Sequence, residues 1–170
     1  SIRHLVFHPY EKVYHPDTCS FMPCTANYVS TYLGYWDTMY QAIAKVNNAI
    51  FCLHEYGRMS DVDKARLEAE LKFIRAYLYF DLVKRYKEVI IYDEDMTKIV
   101  KDKPLDSEEK VWDFIQNDLE FAAANLPARN ASKGRLDKGS AWAFLSRAML
   151  YAERYDVVKT AAAEVEKLGY

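Results

Sequence analysis

The sequence predicts an all-α protein built as an array of stacked helix pairs, about five helices in antiparallel pairs behind an irregular N-terminal lead-in. Three observations carry that prediction. The segment from Glu70 to Tyr86 places Leu71, Ile74, Leu78, Leu82 and Tyr86 at helical intervals, with Phe73, Tyr77, Phe80 and Val83 as a second stripe beside the first. A helix with two apolar stripes is gripped from two sides, as happens when each element packs on a predecessor and a successor. The chain also alternates helix, short turn, helix and longer connection. Finally, small Ala residues at 122, 123, 141, 148, 161 and 162 fall where neighbouring helices can approach closely.

Taken in order, residues 1–34 contain Pro9, Pro16, Pro23 and Gly34 with no sustained helical period, and are expected to be irregular. The helical region is expected over 35–170. Its first helix runs from about Tyr35 to Tyr56 on the stripe Met39, Ile43, Val46, Ile50 and Leu53, with Gly57 expected to stop it in the left-handed conformation. Ser60 is placed to cap the second helix, with Asp61 and Asp63 in its first turn complementing the dipole. From Lys87 to Leu105 the period fails, and Val89-Ile90-Ile91-Tyr92 reads as an extended connection.

Asp106-Ser107-Glu108-Glu109 has the pattern of a capping box with Asp106 as the cap, opening a helix on Val111, Ile115, Leu119, Ala122 and Leu126. Pro127 marks its end, and residues 128–134 form a polar loop. Asp137 is expected to cap a fourth helix on Ala141, Phe144, Leu145, Ala148 and Met149, and Asp156 to Leu168 forms the fifth. This layout is tetratricopeptide-like, although a strict thirty-four-residue period is absent.

Length and composition fit this architecture. A chain of 170 residues, half of it hydrophobic, can bury roughly two-thirds of its unfolded surface. A net charge of −2 with no basic run interleaved with aromatics excludes a nucleic-acid partner. No stretch is long and apolar enough to span a bilayer, and Ser1-Ile2-Arg3-His4 begins no signal sequence.

The search for chemistry returns little. There is no Gly-rich phosphate loop, no nucleophile elbow and no His-Glu-x-x-His, since His54-Glu55 is followed by Tyr56-Gly57-Arg58. Glu68/Glu70 and Glu108/Glu109 read as solvated faces rather than a glycosidase pair. Cys19 and Cys24 are close enough in sequence to close a small loop, leaving Cys52 as a small buried hydrophobe; no second Cys or His pair completes a zinc site. His4, His8 and Glu11 are spaced for a helix but Pro9 spoils the platform. The chain therefore reads as non-enzymatic, with no cofactor and no metal.

Several motifs, in a fixed order, resemble those of the SusD/RagB family. Phe73, Arg75, Ala76, Tyr77, Tyr79, Phe80, Leu82, Val83 and Tyr86 match the family's long aromatic helix. Trp36 to Tyr40 with Asn47 to Ile50 precedes it. Val111-Trp112, Asp118 to Ala122, Leu126-Pro127 and Gly134-Arg135 with Lys138 follow, leading into Ala141 to Tyr151, Tyr155 and Gly169-Tyr170. The resemblance covers about residues 36–170. Lys87 to Ile91 departs from the family's usual Gly-Asp/Gly-Val-Pro turn, and family members are several hundred residues long, so the chain is expected to be a fragment.

The resemblance implies a surface-exposed outer-membrane lipoprotein of a Gram-negative bacterium of the Bacteroidota, anchored through a lipid on an N-terminal Cys outside this chain. It implies capture of an oligosaccharide, or in some members a peptide, for a SusC-like TonB-dependent transporter that the helices dock on. Within this chain the lead-in aromatics Tyr28, Tyr32 and Tyr35, with Asn27 as a hydrogen-bonding neighbour, are the candidate ligand residues; the competing reading is that they pack the lead-in onto the helices. Trp36 is expected to be core. Arg75 and Arg147, each in the middle of an apolar helix, read either as ligand contacts or, preferably, as guanidinium groups paired between helices. Gly134-Arg135 reads as a turn whose Arg covers loop carbonyls. The rival reading of the whole is a helical-repeat scaffold that binds a protein segment.

Overall fold

The computed structural model describes residues 26–95, 97, 102–132 and 134–169, with side chains from Tyr35 onward. Among these residues five helices follow one another: α1 Ala26–Tyr56, α2 Asp61–Tyr86, α3 Glu108–Asn125, α4 Lys138–Tyr151 and α5 Tyr155–Lys167. The fold is all-α and tetratricopeptide-like, as expected. The chain divides into two units, residues 1–40 and 41–170. In the first, Trp36 is half-buried, not core, and sets its ring 4.8 Å from that of Tyr40.

α1 begins nine residues before the expected Tyr35, so the last part of the anticipated irregular lead-in is helical. The reason is visible in the spacing. Tyr28, Tyr32, Tyr35 and Met39 continue the period of Ile43, Val46 and Ile50 backwards, and a single Gly34 does not end a helix that long. The expectations for Cys19, Cys24, His4, His8 and Glu11 lie outside the described residues.

Gly57 ends α1 by a different device from the one expected. Its φ is not positive. A side chain there would place Cβ 2.3 Å from the Leu53 carbonyl oxygen, to which the Gly57 amide donates at 3.1 Å, so glycine is required by close approach. α2 then starts as its sequence dictates: the Ser60 hydroxyl accepts from the Asp63 amide at 3.1 Å, with Asp61 and Asp63 in the first turn.

In the second unit α1 and α2 run antiparallel, since His54 meets Glu68 and Asn47, two turns earlier, meets Arg75, two turns later. α2 and α3 are antiparallel by the same test: Lys72 lies over Phe121, Tyr79 against Phe114 and Phe80 against Trp112. α2 and α4 run parallel, with Phe73, Tyr77 and Phe80 around Phe144 and Phe80 against Tyr151. Ala69, Ala122, Ala123, Leu126 and Ala141 are buried where α2, α3 and α4 come closest, with Phe73, Phe121, Leu136 and Trp142 packed around them. Ala148 and Ala161 are also buried, but Ala162 is exposed, because α5 turns Ala161 inward instead.

The two stripes of α2 are narrower than expected. Ala76, Tyr79, Phe80, Leu82 and Val83 are buried, whereas Ile74 and Tyr77 are exposed. α3 is capped one residue later than expected, by Ser107 without a side-chain bond. Asp106 serves the connection instead: its amide donates to the Val89 carbonyl at 2.9 Å in an isolated antiparallel bridge, and its carboxylate accepts from the Ile91 amide at 3.0 Å. Asp137 caps α4 as expected, accepting from the Ser140 amide at 2.9 Å. Gly134 sits at φ 86°, where a Cβ is strained, but among the described residues the Arg135 side chain covers no loop carbonyl. It reaches α2 and pairs with Glu70 at 2.6 Å. The carbonyls of Leu168 and Gly169 are met instead by Arg129, at 3.1 Å each.

Candidate functional site: a buried charge hub and two open surfaces

Arg75 is the residue around which the array is tied. It is 2% exposed. Its Nε and Nη2 donate to the two oxygens of Asp118 on α3 at 2.7 and 2.9 Å, a bidentate pair. Nη1 donates to Asn47 Oδ1 on α1 at 2.8 Å and to Glu94 Oε2 in the connection at 2.6 Å. The planar guanidinium also lies 4.8 Å from the Phe114 ring. One side chain thus reaches two neighbouring helices and the segment that links α2 to α3.

The rest of the hub holds backbone. Asn47 Nδ2 donates to the Tyr92 carbonyl at 2.8 Å. The Tyr79 hydroxyl accepts from the Tyr92 amide at 2.8 Å and lies 3.2 and 3.3 Å from the Tyr92 and Ile90 carbonyls. Lys103 donates to the Ile91 carbonyl. A connection with one bridge among its described residues is thereby fixed by side chains, mainly from the helices it passes, which satisfies polar backbone that burial would otherwise penalise.

Electrostatics follow from this geometry. Burial works against the charge on Arg75, but the hydrogen bonds and charges of Asp118 and Glu94 outweigh it and hold the guanidinium above its ordinary value. Burial likewise pushes the Asp118 carboxyl up, against the pull of Arg75. Glu94 is less buried, so the hydrogen bond and charge of Arg75 overcome the burial effect and hold its carboxyl below the ordinary value. The hub is structural chemistry: every charge in it is engaged, as the preferred reading of Arg75 required.

Arg147 has the same sequence setting and a different fate. It is exposed, with its guanidinium 6.0 Å from the Phe80 ring. Among the described residues it pairs with no carboxylate between helices, contrary to expectation.

Of the candidate ligand residues, Asn27, Tyr28, Tyr32 and Tyr35 all fall on α1 and not on a loop. The side chains of Asn27, Tyr28 and Tyr32 lie outside the description, and Tyr35 is half-buried. A surface that the sequence did not single out is the open groove between α1 and α2. It measures about 530 Å³ and is lined mainly by Cys52, Leu53, Tyr56, Met59, Leu71 and Ile74. Cys52 is half-buried there with a free thiol, rather than a core residue. Among the described residues no three His, Cys, Asp or Glu side chains are placed to hold a metal ion, and no helix is long and apolar enough to cross a membrane.

Comparison with known proteins places this array. Residues 11–150 match a SusD-like family described as starch-binding and associating with the outer membrane. A SusD-like protein of Bacteroides ovatus is 32% identical over 121 residues, which are 69% of this chain and 22% of that protein. A SusD-like protein of Bacteroides fragilis has a solved structure that superposes with a TM-score of 0.72 at 38% identity, covering 80% of this chain and 27% of that one. A laminarin-binding SusD-like protein superposes at 0.67 with 29% identity, covering 77% and 29%. A structure determined with a xylogluco-oligosaccharide superposes at 0.76 with 26% identity, covering 94% and 34%. The chain thus spans about a fifth to a third of the length of these relatives. With its ordered aromatic helices, its buried arginine hub and a family match over most of its length, the chain belongs to the SusD-like family.

Proposed function

We propose that this chain is the helical scaffold of a non-catalytic glycan-binding protein that captures oligosaccharides at the outer surface of the outer membrane, as a lipid-anchored partner of a SusC-like TonB-dependent transporter. The observation that carries the reading is the family match over residues 11–150, joined by relatives solved as a laminarin-binding protein and with a xylogluco-oligosaccharide. Such binding needs no cofactor and no covalent step. Aromatic faces cover the apolar side of a sugar ring and nearby amides or charges orient its hydroxyls.

Within this chain the ligand contacts are assigned to the N-terminal part of α1: Tyr28, Tyr32 and Tyr35 stand four and three residues apart, with Asn27 beside them. The buried hub, in this reading, holds the scaffold and touches no ligand.

The test is a glycan-array screen of the full-length protein, followed by calorimetry of the classes that bind. Saturable binding of one oligosaccharide class supports the reading and names the substrate. Binding of peptides with no glycan binding transfers the protein to the peptide-capturing members of the family. Tyr32→Ala then reports on the site: loss of glycan affinity with unchanged thermal stability is expected, and a parallel loss of stability assigns the ring to packing.

A further inference from the structure

Two polar contacts pin α1 to α2, and they differ in what acid does to them. Asn47 and His54 stand two turns apart on α1, and Arg75 and Glu68 stand two turns apart on α2, so the antiparallel pair brings Asn47 to Arg75 and His54 to Glu68. The first contact is buried. Arg75 keeps its charge there at every working pH, and Asn47 has none to lose. The second contact lies in the last turn of α1, where His54 is exposed and its Nε2 is 2.8 Å from Oε2 of the half-buried Glu68.

Glu68 is shared. Its other oxygen takes Lys72 Nζ at 2.9 Å, one turn along α2, and Lys72 is held in turn over the Phe121 ring of α3 at 4.0 Å. Burial works against the charge of Glu68, but the hydrogen bonds and charges of His54 and Lys72 outweigh it and hold the carboxyl below its ordinary value. Further charges flank the pair. Lys64 reaches the end of α1, its Cε 3.3 Å from where a Cβ on Gly57 would stand. Beyond Lys72, whose charge extends to them, lie Glu94 in the connection and Asp118 on α3, and Glu55, next to His54 on α1, is exposed. With Lys72 on one oxygen, Glu68 stays ionised whether His54 is charged or neutral.

We infer that His54 and Glu68 form a pH-operated latch holding the last two turns of α1 on α2, with the Asn47–Arg75 contact as the fixed pivot behind it. Histidine ordinarily changes its charge at about pH 6.5. Below that an imidazolium meets a carboxylate in a charge-assisted bond. Above it a neutral imidazole donates to Glu68 only in the tautomer with its proton on Nε2; the other tautomer turns a lone pair towards the carboxylate. Holding is therefore firmer on the acid side of the histidine range and relaxes as the pH rises through it. There is also a lower limit. The contribution of the Glu68 charge is full above the unfolded value of 4.5 and is lost as the pH falls through the lower folded value. Between those limits the latch is tight. It acts on one wall of the groove between the helices, because Leu53 and Tyr56 of the same two turns line that groove.

The experiment follows amide exchange of the full-length protein by mass spectrometry at about pH 5.5 and about pH 8, on either side of the histidine range, with each rate divided by the intrinsic rate of that amide. Wild type, His54→Gln and Glu68→Gln are compared, and Ile115 to Ala122 on α3 serves as the internal reference. Gln at position 54 can donate the same hydrogen bond but cannot take up the proton. In the wild type, protection over residues 50–56 is expected to be about three-fold higher at the acid pH, with α3 unchanged. In both variants residues 50–56 are expected to be equally protected at the two pH values. Equal protection in the wild type overturns the latch. So does a pH difference that persists in His54→Gln, which would assign the effect to another group. A change of the same size across α3 also overturns it, by showing that the whole array responds rather than the end of α1.

Discussion

Arg75 and Arg147 stand in the same kind of sequence, each in the middle of an apolar helix with aromatic neighbours, yet one is buried and held by four side-chain hydrogen bonds and the other is exposed. The difference is which face of its helix each occupies. Arg75 shares a side of α2 with Tyr79 and Leu82, which α1, α3 and the connection close over. Arg147 shares a side of α4 with Leu150, which nothing described covers. A charge inside a closed seam must be answered by other charges of the same chain, and Arg75 has Asp118 and Glu94. A charge on an open helix face keeps its head in water and needs no carboxylate to answer it.

The contrast breaks most readily from the inside. Asp118→Ala leaves Arg75 buried with only Glu94 and Asn47, and is expected to cost about 3–5 kcal/mol in urea unfolding. Leu82→Ala, at a fully buried position on the same helix, is expected to cost about 2–5 kcal/mol and to leave the hub's hydrogen bonds intact. Tyr79→Phe removes the hydroxyl that takes the Tyr92 amide; an expected loss of about 1–3 kcal/mol should coincide with faster amide exchange at Tyr92 while α3 stays protected.

Acid sharpens the comparison further. The folded protein holds the Glu94 carboxyl below its ordinary value, so it binds that proton less readily than the unfolded chain does. The stability from the Arg75–Glu94 pair is therefore present above the unfolded value of 4.5 and is lost as pH falls through the lower folded value. Glu94→Gln should be less stable than wild type at neutral pH and lose less on acidification through that window, as followed by thermal melts.

The sequence made the helices legible because their apolar periods are long, and it made Ser60 and Asp137 legible because a cap acts within three residues of itself. What it left hidden is non-local. Asp118 is 43 residues from Arg75, and nothing in either helix announces the other. Gly57 and Asp106 were assigned the commonest local roles for their types, but Gly57 answers to the Leu53 carbonyl and Asp106 to an amide fifteen residues earlier. The exposure of Ile74 and Tyr77 was equally hidden, because period separates faces without saying which of them a neighbour will cover. For the candidate site, the tyrosine spacing of Tyr28, Tyr32 and Tyr35 carried a helical signal that the surrounding prolines and Gly34 obscured.

The most direct test of the division between a closed, charge-paired interior and an open exterior is equilibrium urea unfolding of Arg75→Met and Arg147→Met, side by side with the wild type. The account predicts a loss of about 3–5 kcal/mol for Arg75→Met, where two carboxylates are stranded, and a change within about 0.5 kcal/mol for Arg147→Met. Equal losses at the two positions, or a larger one at Arg147, would contradict it.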